Sequence, residues 1–412
     1  MTGCEQWARG PFGFDLDQGA TIRPERRVLV VAHHVTSGTR LADVMPLLES
    51  DRRIQVAYTA APRSIFDGGL GEYLRGLGGL VLPWHQATRT SFDLAVAAAD
   101  GMLEHLHAPV MTLQHGAGPS KLLIRAVGSG PHASRPVAGM MRERLIVGGR
   151  VVPSAIVLAH TRHLQVLERE CPEALPVAIV GGDPCLDRLV ASKGLREAYR
   201  RALGVHPGQK LVFITSTCRE QSLLGEHLGL LSRAPAELPR EYRVAAALHP
   251  NVWAFHGRRQ VISWLDEALR HGLRLLPPEE GYRAALIAAD WIIGDHGSAT
   301  YYGAAIGVPT LLAAFPEDDV VPGSHVARLG AIAPRLDPEQ PLLPQLEKTV
   351  HAYNKETYAA LRNAISSRPG GSALILRREM YRLMRLPEPE RPPRIEPLPP
   401  PRPIQRGIGW AA

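Results

Sequence analysis

Arg27-Val28-Leu29-Val30-Val31-Ala32, followed by His33-His34-Val35-Thr36-Ser37-Gly38-Thr39, is the stretch on which the fold turns. Its first six residues form an unbroken, β-branched apolar run with no polar alternation, the pattern of a strand covered on both faces by helices. The run stops at His33 and His34, and the hydroxyls of Thr36, Ser37 and Thr39 offer a cap to a helix expected through residue 48. A strand, a loop and a helix in that order make the opening of a doubly wound α/β lobe.

The same grammar repeats outward. Strands are expected at residues 54–59, 80–83, 92–97, 109–113, 155–159 and 177–180, with a helix at 70–77. Short apolar runs separated by helical segments imply parallel βαβ winding. At Lys210-Leu211-Val212-Phe213-Ile214-Thr215 the scheme restarts with the hydroxyls of Ser216 and Thr217. Strands at 242–248, 273–276, 291–294 and 309–314 follow, with helices at 222–231, 261–271, 282–289, 299–306, 342–365 and 373–384. The expected fold is therefore α/β with two doubly wound, Rossmann-like lobes and an interlobe cleft. The expected division is a leader at 1–26, lobes at 27–200 and 201–386, and a disordered tail at 387–412, where proline recurs too often for a packed core.

At 412 residues the chain is long enough for two cores, and its 45% apolar and 21% charged residues are ordinary globular proportions. The net charge of +7 comes almost wholly from arginine, since there are only five lysines. Arginine suits phosphate and carboxylate, although a scattered solvated face gives the same excess. No dense basic run with interleaved aromatics marks a nucleic-acid binder. Cys4, Cys171, Cys185 and Cys218 are too far apart for a zinc site or disulfide framework, so a cytoplasmic location is expected. No signal peptide or spanning segment is read, and peripheral membrane contact stays open.

Ligands of open parallel sheets bind beyond the carboxyl ends of the strands. Four loops lie there. Ser37, Gly38 and Thr39 follow the first strand. His115, Gly116, Ala117 and Gly118 follow the strand at 109–113, with Lys121 one turn later, a candidate anion cradle or base-bearing loop. His249 sits at a strand end stiffened by Pro250. Asp295, His296, Gly297, Ser298, Ala299 and Thr300 join a strand to a helix whose first amides and dipole favour phosphate. Each also has a plainer reading: His115 as a structural hydrogen-bonding residue, Ser298 as an N-cap, Ser216 and Thr217 as an ordinary helix start.

These motifs resemble the GT-B superfamily, and within it the CDP-glycerol glycerophosphotransferase-like enzymes of teichoic acid polymerisation. His115-Gly116 with Lys121, His249-Pro250, and Asp295 with Ser298 are similar to that group's loops. Ser37-Gly38-Thr39-Arg40 and His249-Pro250-Asn251 resemble the non-hydrolysing UDP-N-acetylglucosamine 2-epimerases. His296-Gly297 depart from the polymerases, which carry an aromatic residue and a serine there. The resemblance implies an inverting transferase with a nucleotide-linked small-molecule donor and a hydroxyl-type acceptor. His115 and His249 would be catalytic, with no obligatory cofactor or metal. Donor contacts would come from Ser298, Ala299, Thr300, Asp295, Gly297, Ser216, Thr217, Gly116, Lys121, Ser37, Gly38 and Thr39. The alternatives are a sugar-nucleotide epimerase and a non-catalytic nucleotide-binding protein on the same fold.

Overall fold

The structure, a computed structural model, describes residues 7, 8, 10, 12, 21–62, 68–123 and 135–405. Cys4 and most of the expected leader lie outside them. Two compact units partition the chain. The first comprises Met1–Gly118, Pro136–Cys185 and Ser367–Glu396, and the second Pro119–Arg135, Leu186–Ser366 and Pro397–Ala412.

In the first unit the strands are β1 (Arg26–Ala32), β2 (Ile54–Ala60), β3 (Leu80–Leu82), β4 (Leu94–Ala97) and β5 (Val110–Leu113). A small antiparallel pair, β6 (Ile146–Val147) and β7 (Arg150–Val151), precedes β8 (Ala155–Leu158) and β9 (Ala178–Val180). The main sheet has the order β3-β2-β1-β4-β5-β8-β9, and every pairing in it is parallel. Alternate residues of β1 serve opposite cores. Val28 and Val30 join Leu94, Val96, Leu376 and Met380, whereas Leu29 and Val31 join Ala95, Ala97, Phe12 and Leu103. Both faces are thus covered, which is why the run carries no polar residue.

The second unit repeats the scheme with β10 (Lys210–Ser216), β11 (Tyr242–Leu248), β12 (Arg274–Leu275), β13 (Trp291–Gly294) and β14 (Thr310–Leu312). Its order, β12-β11-β10-β13-β14, is again wholly parallel. In each sheet the first strand is flanked on one side by the second and on the other by a later one. The topological switch point therefore lies at β1/β4 in one unit and at β10/β13 in the other, the place where such folds open a ligand crevice.

Three expectations are revised. The boundary expected at residue 200 falls at 185, because the helix Arg196–Ala202 belongs to the second unit. Arg196 and Arg200 there grip Asp290 at 2.7 and 2.9 Å, and Arg200 also donates to the Ala288 carbonyl. Conversely the helix Ser372–Met384 packs on the first sheet. The helix expected at 261–271 is two short helices, Arg258–Trp264 and Asp266–Arg270, parted at Leu265.

The tail is the largest correction. Instead of being disordered, its described part is tied down by donors reaching its carbonyls. In the first unit Arg377 donates to Arg391 and Pro389 and pairs with Glu388. In the second, Tyr199 and Arg188 donate to the carbonyls of Leu398 and Pro397, and Leu398 is 2% exposed. Proline removes donors but leaves acceptors, and arginine-rich surfaces fill them. Proline also lowers the entropy lost on ordering. Residues 406–412 lie outside the described residues.

Candidate functional site

At the strand tips of the first unit three imidazoles gather. His33 follows β1, and its Nε2 donates to the Gly101 carbonyl at 2.8 Å, while its Nδ1 is buried without a hydrogen-bond partner. Burial lowers its pKa. His34 caps the helix Val35–Ala42, its Nδ1 accepting from Ser37 N at 3.1 Å. The His34 and His115 rings meet edge-on at 4.8 Å. His115 is exposed and its Nδ1 lies 3.0 Å from the Ala98 carbonyl. A carbonyl only accepts, so Nδ1 carries the proton and Nε2 the lone pair. Nearby Asp100 is pushed up to about 6, mainly by burial and against the pull of Arg144.

Ser37, Gly38 and Thr39 do not line this tip. Ser37 is fully buried and its hydroxyl accepts from the amides of His33 and His34, completing a capping box. A Cβ on Gly38 would come within 2.6 Å of the Tyr73 ring, and Thr39 Oγ1 donates to the Thr36 carbonyl. All three hold the helix in place. Arg40, on the same helix, is the residue that sequence reasoning underrated. Only 3% exposed, it pairs with Asp183 at 3.2 Å and donates to the Gly116 carbonyl at 3.1 Å, so it fixes the loop that bears His115.

In the second unit Asp295, directly after β13, is the knot of the site. It is 1% exposed. Its Oδ2 accepts from Thr217 N at 2.7 Å, Thr217 Oγ1 at 2.8 Å and Leu223 N at 3.1 Å, with Ser216 Oγ more distant at 3.4 Å. Its Oδ1 accepts from Gly297 N at 3.0 Å. Ser216, Thr217, Asp295 and Gly297 are thus brought together across the β10/β13 switch point. Their side chains are spent on one another, which makes them the frame of the loop. A Cβ at Gly297 would meet Thr217 Cγ2 at 2.5 Å, so the turn is closed against any larger residue.

That frame starts the helix Ser298–Ala305, with Gly297 as N-cap. Thr300 Oγ1 accepts from Asp295 N at 3.2 Å, so its hydroxyl too is committed inward. What the turn offers a ligand is the backbone amides of Ser298, Ala299 and Thr300. His249, after β11, caps the helix Pro250–His256, and its Nδ1 accepts from Asn251 N at 3.1 Å. The proton of a neutral His249 ring is therefore on Nε2, the reverse of His115.

Lys121 belongs to the second unit. It pairs with Val320 in an antiparallel bridge, flanked by hydrogen bonds from Leu122 N to Asp319 O and from Val321 N to Ser120 O. Arg135 clamps the same loop, reaching Asp319 Oδ1 at 2.6 Å. Lys121 feels the charges of Asp295 and Arg219, and burial lowers its pKa. The chain passes to the second unit at Pro119, so Lys121 stands in that unit and Gly116 in the first. His296, to which the sequence assigned a place in the loop but no role, is 8% exposed with an unpartnered Nδ1. Burial, and then Lys121, lower it to about 4. Its isolation could not be read from a Gly-Ser turn.

Among the described residues no group of three His, Cys, Asp or Glu side chains is placed to hold a metal ion. No described helix is long and apolar enough to cross a membrane.

Two parallel, doubly wound Rossmann-like units with polar loops at their switch points define a GT-B-like fold. Among solved structures the chain is similar to the wall teichoic acid polymerase TagF. A histidine-to-asparagine variant of TagF soaked with CDPG matches with a TM-score of 0.57 at 13% identity, over 90% of this chain and 91% of that one. A histidine-to-alanine variant gives 0.54 at 11% identity, over 90% and 92%. The S. aureus MnaA structure with UDP matches at 0.48 and 12% identity, over 89% and 99%. No protein-family model matches the chain. No curated protein matches it either.

Proposed function

We propose that this protein is an inverting, metal-independent transferase that moves a glycosyl or polyol-phosphate group from a nucleotide-activated donor to a hydroxyl acceptor. The observation that carries this reading is the opposite tautomers of the two strand-tip histidines. His115, anchored through Nδ1–H, keeps a basic Nε2 and suits removal of the acceptor proton, a role commonly worth ~10²–10⁴-fold. His249, anchored through an accepting Nδ1, keeps an Nε2–H and suits donation to the leaving phosphate. The amides of Ser298, Ala299 and Thr300 would receive the diphosphate, with Lys121 supplying positive charge. Ser216, Thr217, Asp295 and Gly297 would act by holding that loop, and Gly116 by carrying His115.

The epimerase reading loses support at Ser37, Gly38 and Thr39, which are buried and committed to the helix start. A thermal-shift panel of CDP-glycerol, UDP-glucose, UDP-N-acetylglucosamine, and GDP- and ADP-sugars tests the proposal. One conjugate at ~100 times its Kd should stabilise the fold by about 2.7 kcal/mol, and turnover with it should survive EDTA. Absence of any shift across the panel would remove the donor site, and solvent deuterium entering the sugar without an acceptor would make the enzyme an epimerase.

A further inference from the structure

At the second unit's switch point, charge is finely balanced. Lys121, Arg219 and Arg135 bring three positive charges. Asp319 is paired with Arg135, and Asp295 is saturated by the donors of its own loop. Arg219 stands just past β10 with a φ of +86°, in the left-handed region that a non-glycine residue enters only when its surroundings hold it there. His296 lies among these groups, one residue before the N-cap of the Ser298–Ala305 helix. The groups acting on it are Lys121, Asp295, Asp319 and Arg219, and Cys218 acts on the neighbouring Lys121. Its Nδ1 is buried and bonded to nothing. A buried polar atom without a partner is costly, and a native fold retains one where something else completes it.

We propose that His296 is a proton-accepting ligand of the diphosphate, so that this chain takes up a proton as the anion seats and binds more tightly as pH falls. The inference rests on the reading of the second unit as the donor-binding one. Without ligand, the cationic neighbours and burial keep the ring neutral. An arriving diphosphate carries more than one negative charge and reverses the balance, favouring the imidazolium. The proton comes from solvent, and the ring then donates to a phosphate oxygen.

The test is calorimetric titration of the full chain with CDP and with UDP at pH 7 in buffers of different ionisation enthalpy, repeated from pH 6 to 8. Fractional uptake of up to one proton per diphosphate is expected, with affinity falling as pH rises, by up to about tenfold per unit at the steepest point. His296→Asn and His296→Phe should bind about 3–30-fold more weakly at pH 6 and lose the uptake. Thermal unfolding of both variants shows that they are folded, and the proton count is a quantity that a merely structural role would leave unchanged. Binding by the parent without proton uptake overturns the inference alone. Uptake persisting in both variants overturns it too, placing the proton elsewhere. If neither CDP nor UDP binds the parent, the inference falls together with the donor reading.

Discussion

His115 is hinged to Ala98: the 3.0 Å bond from its Nδ1 to that carbonyl sets both the ring's position and which nitrogen can take a proton. His115→Ala should therefore lower kcat by about 10²–10⁴-fold while leaving nucleotide affinity within about twofold. Steady-state kinetics beside calorimetry with CDP and UDP check this. Unchanged turnover would remove the proposed base.

Arg40 and Asp183 form a pair that is buried on both sides, at 3% and 2% exposure. Arg40→Ala removes the buried guanidinium beside Asp183 and should cost about 3–5 kcal/mol in urea denaturation. Arg40→Lys keeps the charge but cannot reach Asp183 and the Gly116 carbonyl with one fork, so it should recover only part of the loss. A wild-type midpoint for Arg40→Ala would show that the pair contributes nothing.

Asp295→Ala strips the partner from the buried amides of Thr217, Leu223 and Gly297 at once. About 3–5 kcal/mol of destabilisation is expected, and Asp295→Asn, which retains an acceptor, should lose less than half of that. Equal midpoints for the two variants would contradict the account of Asp295 as the frame of the loop.

Leu398, buried in the proline-rich segment, should behave as a core residue. Leu398→Ala is expected to cost about 2–4 kcal/mol, and a chain ending at residue 386 should melt lower still. A melting temperature unchanged in both would mean that the segment detaches in solution.

His163 supplies the pH dependence. Burial, and then the charges of His160 and Arg162, lower its pKa to about 3, against 6.5 for an unhindered imidazole. Its folded-state pKa is depressed, so the unfolded chain binds the extra proton. Stability is complete above pH 6.5 and drains away as pH falls towards 3, by up to ~1.4 kcal/mol per unit. His33 and His296 pull in the same direction. His163→Leu should flatten the acid limb by about one proton, read from denaturation midpoints between pH 4 and 7. An unaltered slope would exclude His163 as the source.

The strands were legible because a doubly covered strand leaves an unmistakable apolar run. Residues 242–248 and 291–294 coincide with β11 and β13 to the residue. Parallel winding followed from the spacing, and the strand tips followed from winding. Lys121, six residues from His115 in the chain, pairs with Val320, a partner that no local pattern in the sequence announces. Arg40 was underrated because a single arginine in the last turn of a short helix looks solvated until its distant partner Asp183 is known. His296 was passed over because isolation is a property of surroundings. The tail was misjudged because composition counts the donors proline lacks without counting those that Arg377, Arg188 and Tyr199 supply.

The helix Ser372–Met384, which puts Leu376 and Met380 against β1 and β4, has a consequence for the growing polypeptide. β1 and β4 leave the ribosome long before their cover, which begins at Ser372, is translated. Until then an oily strip of the first sheet stays bare. A nascent chain stalled before that point should be a client for chaperones.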